Sequence, residues 1–400
     1  MDPVDLRRPG AGANQQGVRD HNERLILTLI QRQGALSGRE IARLAGLSPQ
    51  TVSVILRALE LDGFLSRQEP QRGRVGKPSV PMALAADGAS SLGLKIGRRS
   101  ADLVMCDLLG QVKGQLQANY RWPVPQDVYS FLEHGIARLT RDMTADQIER
   151  IAGIGIAKPH EIWNWHEAVG APPGTLDVWR NIDFAAEIAR TSSIPVFLEN
   201  DATAACRAEH VYGHGRAFRD FAYFFVGSFI GGGIVLNHSV MDGATGNAAA
   251  FGSLPSRRAD GTACQLIDAA SIWLLESRMT RAGLDPTALW RQPQDWSGLG
   301  PVFAEVLDSW LSETASSIAA AAITVCAVVD FEGIIVDGGF PAPVRQDLVD
   351  QINARLSDLD RRGLSPFQVL GGKVGGNARA IGAACAPIFA RYFLNTHGTH

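Results

Sequence analysis

The stretch Pro195-Val-Phe-Leu-Glu-Asn-Asp-Ala-Thr-Ala-Ala205 decides how the chain is read. Val196, Phe197 and Leu198 are bulky and β-prone, so they form a short strand. Glu199, Asn200 and Asp201 break that run, and the residues from Ala202 to Val211 continue as a helix. A strand that passes into a helix through Asn-Asp leaves two short polar side chains at a strand end. There they are placed to cap the helix that follows.

The same alternation extends in both directions. Ser91–Gly97 and Ala101–Asp107 read as strands joined by a tight turn, and a third strand follows over 112–119. Residues 126–143 place Phe131, Leu132, Ile136 and Leu139 on one helical face. Ile151–Ala157 is a buried strand, 184–192 a helix, and Phe221–Val226 pairs with Gly232–Leu236 as a hairpin. An Ala-rich helix over 310–325 precedes a strand, Gly333–Asp337, that ends in Gly338-Gly339. A strand hairpin, a helix and a further strand, occurring twice, predict an α/β body of two related lobes.

At 400 residues, with 46% apolar and 20% charged side chains, the chain is a globular protein of two or three domains. The net charge of −3 is unevenly spread: residues 1–80 hold 12 Lys/Arg against 8 Asp/Glu, the remainder 26 against 33. A basic head on an acidic body suits a phosphate-bearing partner at one end. The five cysteines are scattered and never spaced C-x-x-C, which argues against a disulfide framework and a cysteine-rich zinc site. The first residues, MDPVDLRRPGAGANQQGVRD, lack the apolar core of a signal peptide. With no stretch of about 18 apolar residues, no membrane partner is expected and the expected location is cytoplasmic.

The head has its own pattern. Leu25, Ile26, Leu29 and Ile30 recur at helical spacing up to Gly34. Ser37-Gly-Arg-Glu40 is a capping box that opens a short helix, broken at Gly46. Ser48 and Pro49 open a third helix that runs through Val52, Ile55, Leu56 and Leu59 to Gly63. Helix, glycine turn and capped helix are the helix-turn-helix layout, whose second helix reads the major groove. Gln50, Thr51 and Ser53 would face base edges, and Arg57, about a turn further on, a phosphate. Gln71-Arg-Gly-Arg-Val-Gly-Lys-Pro78 reads as the tip of a β-wing, with Arg72, Arg74 and Lys77 suited to phosphate or a narrow minor groove. The competing reading is a three-helix domain that binds protein instead of DNA.

Gly153-Ile-Gly-Ile156, Trp179-Arg-Asn-Ile182, the stretch 195–205, Gly231-Gly-Gly-Ile234 and Val336-Asp-Gly-Gly339 resemble the ROK family of repressors and sugar kinases. With the head and its Gly-Arg-x-Gly-Lys-Pro wing, the chain resembles the repressor branch. The resemblance implies the fold class: α/β, an N-terminal all-α/winged helix-turn-helix domain followed by a two-lobed actin-like ATPase (ribonuclease H-like) module. It also implies that Asp201 matches the kinases' catalytic base and Asn200 a residue that binds a sugar hydroxyl.

Three departures separate the sequence from a kinase of that family. Where the family's first phosphate loop reads D-x-G-x-T, this chain has Lys95-Ile-Gly97-Arg-Arg-Ser100. Lys95 puts a positive charge where an acid would hold Mg²⁺. Where the second loop reads G-T-G-I-G-G-G, Phe229 replaces a glycine that lets the backbone approach ATP. The segment that would supply a sugar-binding Glu and a zinc-binding His has Ala250 and Ser253, and Cys264 alone remains of the cysteine cluster. One thiolate cannot close a tetrahedral zinc site.

The expectation is therefore a repressor gated by a small carbohydrate bound in a kinase-like cleft, with no catalytic residue, cofactor or metal. Asn200 and Asp201 would hold the ligand, with Asn247, Ser253, Glu161 and Trp165 as substitutes for the lost side chains. Trp163 and Asn164 belong to the same unusual stretch, whose tryptophans serve either a sugar face or plain packing. The expected layout is a disordered arm (1–19), the head (20–81), a first lobe (88–200) and a second lobe (201–390) carrying dimerisation and part of the cleft. The partners would be a double-stranded DNA operator, a carbohydrate effector, and further copies as a homodimer or dimer of dimers. The alternatives are a sugar kinase with a DNA-binding head and a repressor titrated by a protein partner.

Overall fold

The computed structural model describes residues 15–70, 79–258 and 260–394, with 15, 16, 167 and 168 as backbone only. The chain forms two compact units, residues 1–89 with 388–400, and residues 90–387.

In the first unit, α1 (Gln15–Gln33), α2 (Gly38–Ala45) and α3 (Pro49–Leu61) pack around Ile26, Ile30, Ile41, Val52, Ile55 and Leu59. The sequence signals act as read. Ser37 Oγ accepts from Glu40 N–H, and Ser37 N–H donates 2.9 Å to the Glu40 carboxylate. Gly46 ends α2 at φ +65°, a left-handed conformation that a side chain would strain. Ser48 caps α3, with Pro49 at its start. Strands β1 (Leu36–Ser37), β2 (Leu65–Arg67) and β3 (Pro81–Leu84) form an antiparallel sheet in the order β1-β3-β2. Helix α1 begins at Gln15, inside the segment expected to be disordered; residues 1–14 lie outside the described ones. The end of the chain also joins this unit: Leu394 N–H donates 3.0 Å to Thr28 Oγ1, and Tyr392 lies against Phe64 with ring centroids 4.9 Å apart.

The second unit holds two five-stranded sheets. The first comprises β4 (Ser90–Ile96), β5 (Ser100–Asp107), β6 (Val112–Asn119), β7 (Ile151–Lys158) and β8 (Val196–Asn200), in the order β6-β5-β4-β7-β8. The second comprises β9 (Phe221–Val226), β10 (Ile230–Leu236), β11 (Ser239–Val240), β14 (Gly333–Gly338) and β15 (Gln368–Gly371), in the order β11-β10-β9-β14-β15. Each sheet is a three-stranded antiparallel meander with two parallel strands added beside its first member. A small hairpin, β12 (Pro255–Arg257) with β13 (Ala263–Gln265), lies between β11 and β14 in sequence. The two expected lobes are present, with the same strand order.

Some helices differ in length from expectation. The helix expected over 184–192 stops at Ile188, where Ala189 closes it. The Ala-rich helix is longer than expected, Pro301–Val328, because Pro301 supplies a second helix-start signal upstream of the alanines. By length and composition it could cross a membrane. Its Trp310, Ala315, Ile318 and Ala322 are instead buried in the core of the second lobe.

Two helices join the lobes. Asp201–Tyr212 follows β8 and lies on β10, where a Cβ on Gly231 or Gly233 would strike Ala202 or Cys206. The helix Ala378–Tyr392 runs over the first sheet, where Gly93 and Gly155 leave room for the backbone of Ala380, Ala383 and Ala384. Gly382 of that helix touches the backbone of Ala204 in the other. The glycine run of β10 is thus needed for helix-on-strand packing before any ligand is considered.

Candidate functional site

In the first unit, α3 buries Val52, Ile55, Leu56 and Leu59, so the helical period turns the positions between them to solvent. Gln50, Thr51, Ser53 and Arg57 are all exposed there. Thr51 is partly engaged: its N–H and hydroxyl meet Ser48 Oγ at 3.1 and 2.8 Å. Val54 stands on the same face and is 63% exposed. The sequence reading passed over Val54, although its offset from the buried Val52 and Ile55 marks it as outward-facing. Arg67 Nε donates 2.6 Å to Glu60, which ties the wing's first strand to α3. The wing's stems are β2 and β3, paired antiparallel from Leu65–Leu84 to Arg67–Met82. Its tip, with Arg72, Arg74 and Lys77, lies outside the described residues.

In the second unit, the polar residues after β8 separate into distinct roles. Asn200 is the N-cap of the helix Asp201–Tyr212, and its Oδ1 accepts from Ala202 and Thr203 N–H at 3.0 and 3.3 Å. Asp201 is paired with Arg379 at 3.2 Å, and that guanidinium also lies over the Phe225 ring. Glu199 is paired with Arg207, about two turns into the helix that follows, its Nε at 3.0 Å. Each member of the Glu-Asn-Asp run therefore has a protein partner.

The turn that resembles a kinase's first phosphate loop is equally self-contained. Lys95 Nζ lies 2.7 Å from Asp102 and 3.0 Å from Ser100 Oγ. Gln117 Nε2 donates 2.7 Å to the other oxygen of Asp102. Burial pushes the Lys95 ammonium below its ordinary value while Asp102 opposes it. Burial alone would raise the Asp102 carboxyl, but Lys95 and Gln117 outweigh it and hold it low. The Lys95 charge, which stands where a related kinase would carry a metal-holding acid, is thus neutralised inside its own lobe. From the turn that follows, Arg98 reaches into the second lobe and meets both oxygens of Glu276.

Phe229 of the second loop meets Trp165 of the first lobe, ring centroids 5.6 Å apart. Trp163 sits under the Arg180 guanidinium, 5.3 Å from ring centroid to carbon. Both tryptophans also pack against the core of the first lobe. Glu161 is exposed and accepts from Asn164 Nδ2 at 2.7 Å. Asn247 is half-buried in the loop after β11, and Ser253 is exposed at the end of a short 3-10 turn. Among the described residues no hydrogen bond or ion pair ties Asn247 or Ser253 to the Asn200–Asp201 end.

Cys264 stands on β13 opposite Ser256. Among the described residues no three His, Cys, Asp or Glu side chains gather as an ion site. The donor set around Cys264 does not fit a zinc ion.

Residues 91–265 match the ROK family, and residues 19–66 match a winged helix-turn-helix DNA-binding family. The xylose repressor of Bacillus subtilis is 24% identical over 286 residues, covering 67% of this chain and 71% of that protein. A solved ROK family transcriptional regulator, a homologue of the E. coli Mlc protein, superposes with a TM-score of 0.64 at 20% identity, covering 94% of this chain and 97% of that one. A ROK family glucokinase from Streptomyces griseus, solved with glucose and AMPPNP, gives a TM-score of 0.58 at 21% identity, covering 74% of this chain and 98% of that one.

Proposed function

This chain carries a ROK family domain behind a winged helix-turn-helix, and from that we propose that it is a transcriptional regulator, a repressor, whose grip on duplex DNA is set by a carbohydrate effector. The observation that carries the reading is α3: a capped helix whose core face is buried and whose opposite face presents Gln50, Ser53 and Arg57 to solvent. Gln50 and Ser53 suit base edges and Arg57 a phosphate. The likeness to the xylose repressor supports a sugar as effector. The likeness to sugar kinases makes Asn200 and Asp201 the proposed contacts of the effector, with Trp165, Glu161, Asn247 and Ser253 as further proposed contacts. The effector gates DNA binding only by binding the two conformations of the protein with different affinity. A symmetric homodimer, or a dimer of dimers, working in the cytoplasm would read half-sites about one or two DNA turns apart.

Phosphoryl transfer is not part of the proposal. Asp201 is kept, but its carboxylate is engaged by Arg379. Lys95 is closed onto Asp102, and Phe229 stands in the second loop against Trp165.

The test is selection of duplexes from a random pool by the full-length protein, followed by titration against salt. Affinity should fall steeply with salt, and Arg57→Ala should reduce the logarithmic salt slope by about 1. A panel of sugars should then change affinity for the selected duplex. Enrichment of no duplex, or a salt-independent affinity, refutes the DNA reading. Sugar-dependent ATP turnover abolished by Asp201→Asn would establish a kinase in its place.

A further inference from the structure

We infer that Val54 reads a thymine methyl group in the major groove, one helical turn along α3 from Gln50. This rests on the DNA-binding reading above and names a specificity residue within it.

An exposed mid-helix position ordinarily carries a long polar side chain, because a β-branched residue loses rotamer freedom in a helix and gains nothing from water. Val54 is nevertheless 63% exposed, in the middle of α3. No core side chain covers it, since Val52, Ile55, Leu56 and Leu59 form the buried face. Its neighbours on the outer face are Gln50, Ser53 and Arg57, all exposed. A helix rises about 1.5 Å per residue, so Val54 stands about 6 Å beyond Gln50 along the axis. Leu61, the other strongly exposed aliphatic of α3, is its last residue, away from the end that enters the groove.

A stripe of amide, hydroxyl, apolar and guanidinium groups matches what the major groove displays. Adenine offers N6 and N7 to a glutamine amide, and thymine alone offers a methyl to an apolar contact. Base pairs rise about 3.4 Å, so Val54 and Gln50 address steps one or two pairs apart. A thymine therefore lies within about two pairs of the adenine read by Gln50.

The probe is the duplex selected by the full-length protein, remade with deoxyuridine at one thymine at a time, which deletes only the methyl. Wild type should lose about fourfold in affinity at one thymine per half-site, the worth of one buried methyl. Val54→Ala, which removes the contact in both half-sites of a symmetric duplex, should bind it about 16-fold more weakly and lose nothing further on that deoxyuridine duplex. Val54→Thr, which keeps one methyl, should retain the sensitivity. Val54 is exposed, so both variants should melt with wild type. Insensitivity of wild type to every thymine replacement, or an undiminished penalty in Val54→Ala, overturns the inference while leaving DNA binding intact. Failure to enrich any duplex would refute the DNA-binding reading itself.

Discussion

Arg98 and Glu276 form a buried ion pair that ties the first lobe to the second, from the turn between β4 and β5 to the helix Ile272–Arg281. Arg98 is 3% exposed and Glu276 7%. Trp290 Nε1 donates 2.8 Å to the same carboxylate. The turn that resembles a kinase's phosphate loop is therefore occupied by a cation whose counter-charge belongs to the protein. The second loop is met by Trp165 in a similar way through Phe229. The two lobes are thus bridged by one ionic and one aromatic contact.

Breaking the ionic bridge from either side leaves an uncompensated buried charge. Arg98→Met and Glu276→Gln should each lower the unfolding free energy by about 3–5 kcal/mol, read from urea denaturation. The double variant Arg98→Glu with Glu276→Arg should recover part of the loss. Trp290→Phe removes one hydrogen bond to a charged group and should cost about 1.5–3 kcal/mol. Additive single-variant losses, with no recovery in the charge-reversed pair, would show that the two side chains do not act on each other.

Asn200 has one identified task, capping, and one proposed task, binding a sugar hydroxyl. Its Oδ1 is engaged by Ala202 and Thr203 N–H, so its amide nitrogen is the part left to face a ligand. Asn200→Ala should lose about 1 kcal/mol of stability. Asn200→Ser keeps a good cap and should melt close to wild type, yet bind the effector about tenfold more weakly. Calorimetry with a responsive sugar separates the two tasks. A serine variant with wild-type affinity confines Asn200 to capping.

What was legible in the sequence follows from the range of the interaction concerned. Ser37 with Glu40 and Ser48 with Thr51 are local contacts, three residues apart, and the caps of the head are where the sequence placed them. The α/β class and its two lobes followed from the alternation of strand and helix, while the order of the strands within each sheet did not. Partners far along the chain were not legible. Arg379 lies 178 positions from Asp201, and Glu276 lies 178 from Arg98, with no local pattern to announce either pair. Local sequence therefore left Lys95 and Arg98 as charges without partners, which the fold supplies as Asp102 and Glu276. Val54 was not legible as a functional residue because it carries no polar group, although its exposure follows from the helical period alone.

Gly155 illustrates a constraint that resembles a ligand signature and serves packing. A Cβ there would fall on the Ala383 carbonyl, and one on Gly382 would fall on the Ala204 carbonyl. Both neighbours are backbone and cannot rotate away. Gly155→Ala and Gly382→Ala should each cost at least about 3 kcal/mol, or abolish folding. Gly34 has φ +82° and open space around it, so Gly34→Ala should cost only about 1 kcal/mol, from backbone strain. Thermal or urea unfolding of the three variants checks the ranking. Equal losses at the three positions would mean that the helix over the first sheet shifts to accept a methyl.

Asp337 should give the protein a pH-dependent stability of unusual sign for a carboxylate. It is fully buried at the end of β14, where its oxygens accept from Gly338 and Gly375 N–H at 2.8 and 3.0 Å. Arg345 stands 3.0 Å away, Tyr223 donates its hydroxyl at 3.4 Å, and the buried Glu209 adds a like charge. Burial pushes the carboxyl up to about 6, with Arg345 opposing and Glu209 reinforcing the rise. Between the ordinary aspartate range and that value, the folded chain binds more protons here than the unfolded chain. Stability from this group is complete below about pH 4 and is lost as pH rises through about 6, by on the order of 3 kcal/mol. Asp337→Asn cannot titrate, so the stability of wild type minus that of the variant should fall across this window. Unfolding free energies from pH 4 to 7 measure it, and a flat or rising difference would mean that Arg345 and the two N–H donors hold Asp337 ionised throughout.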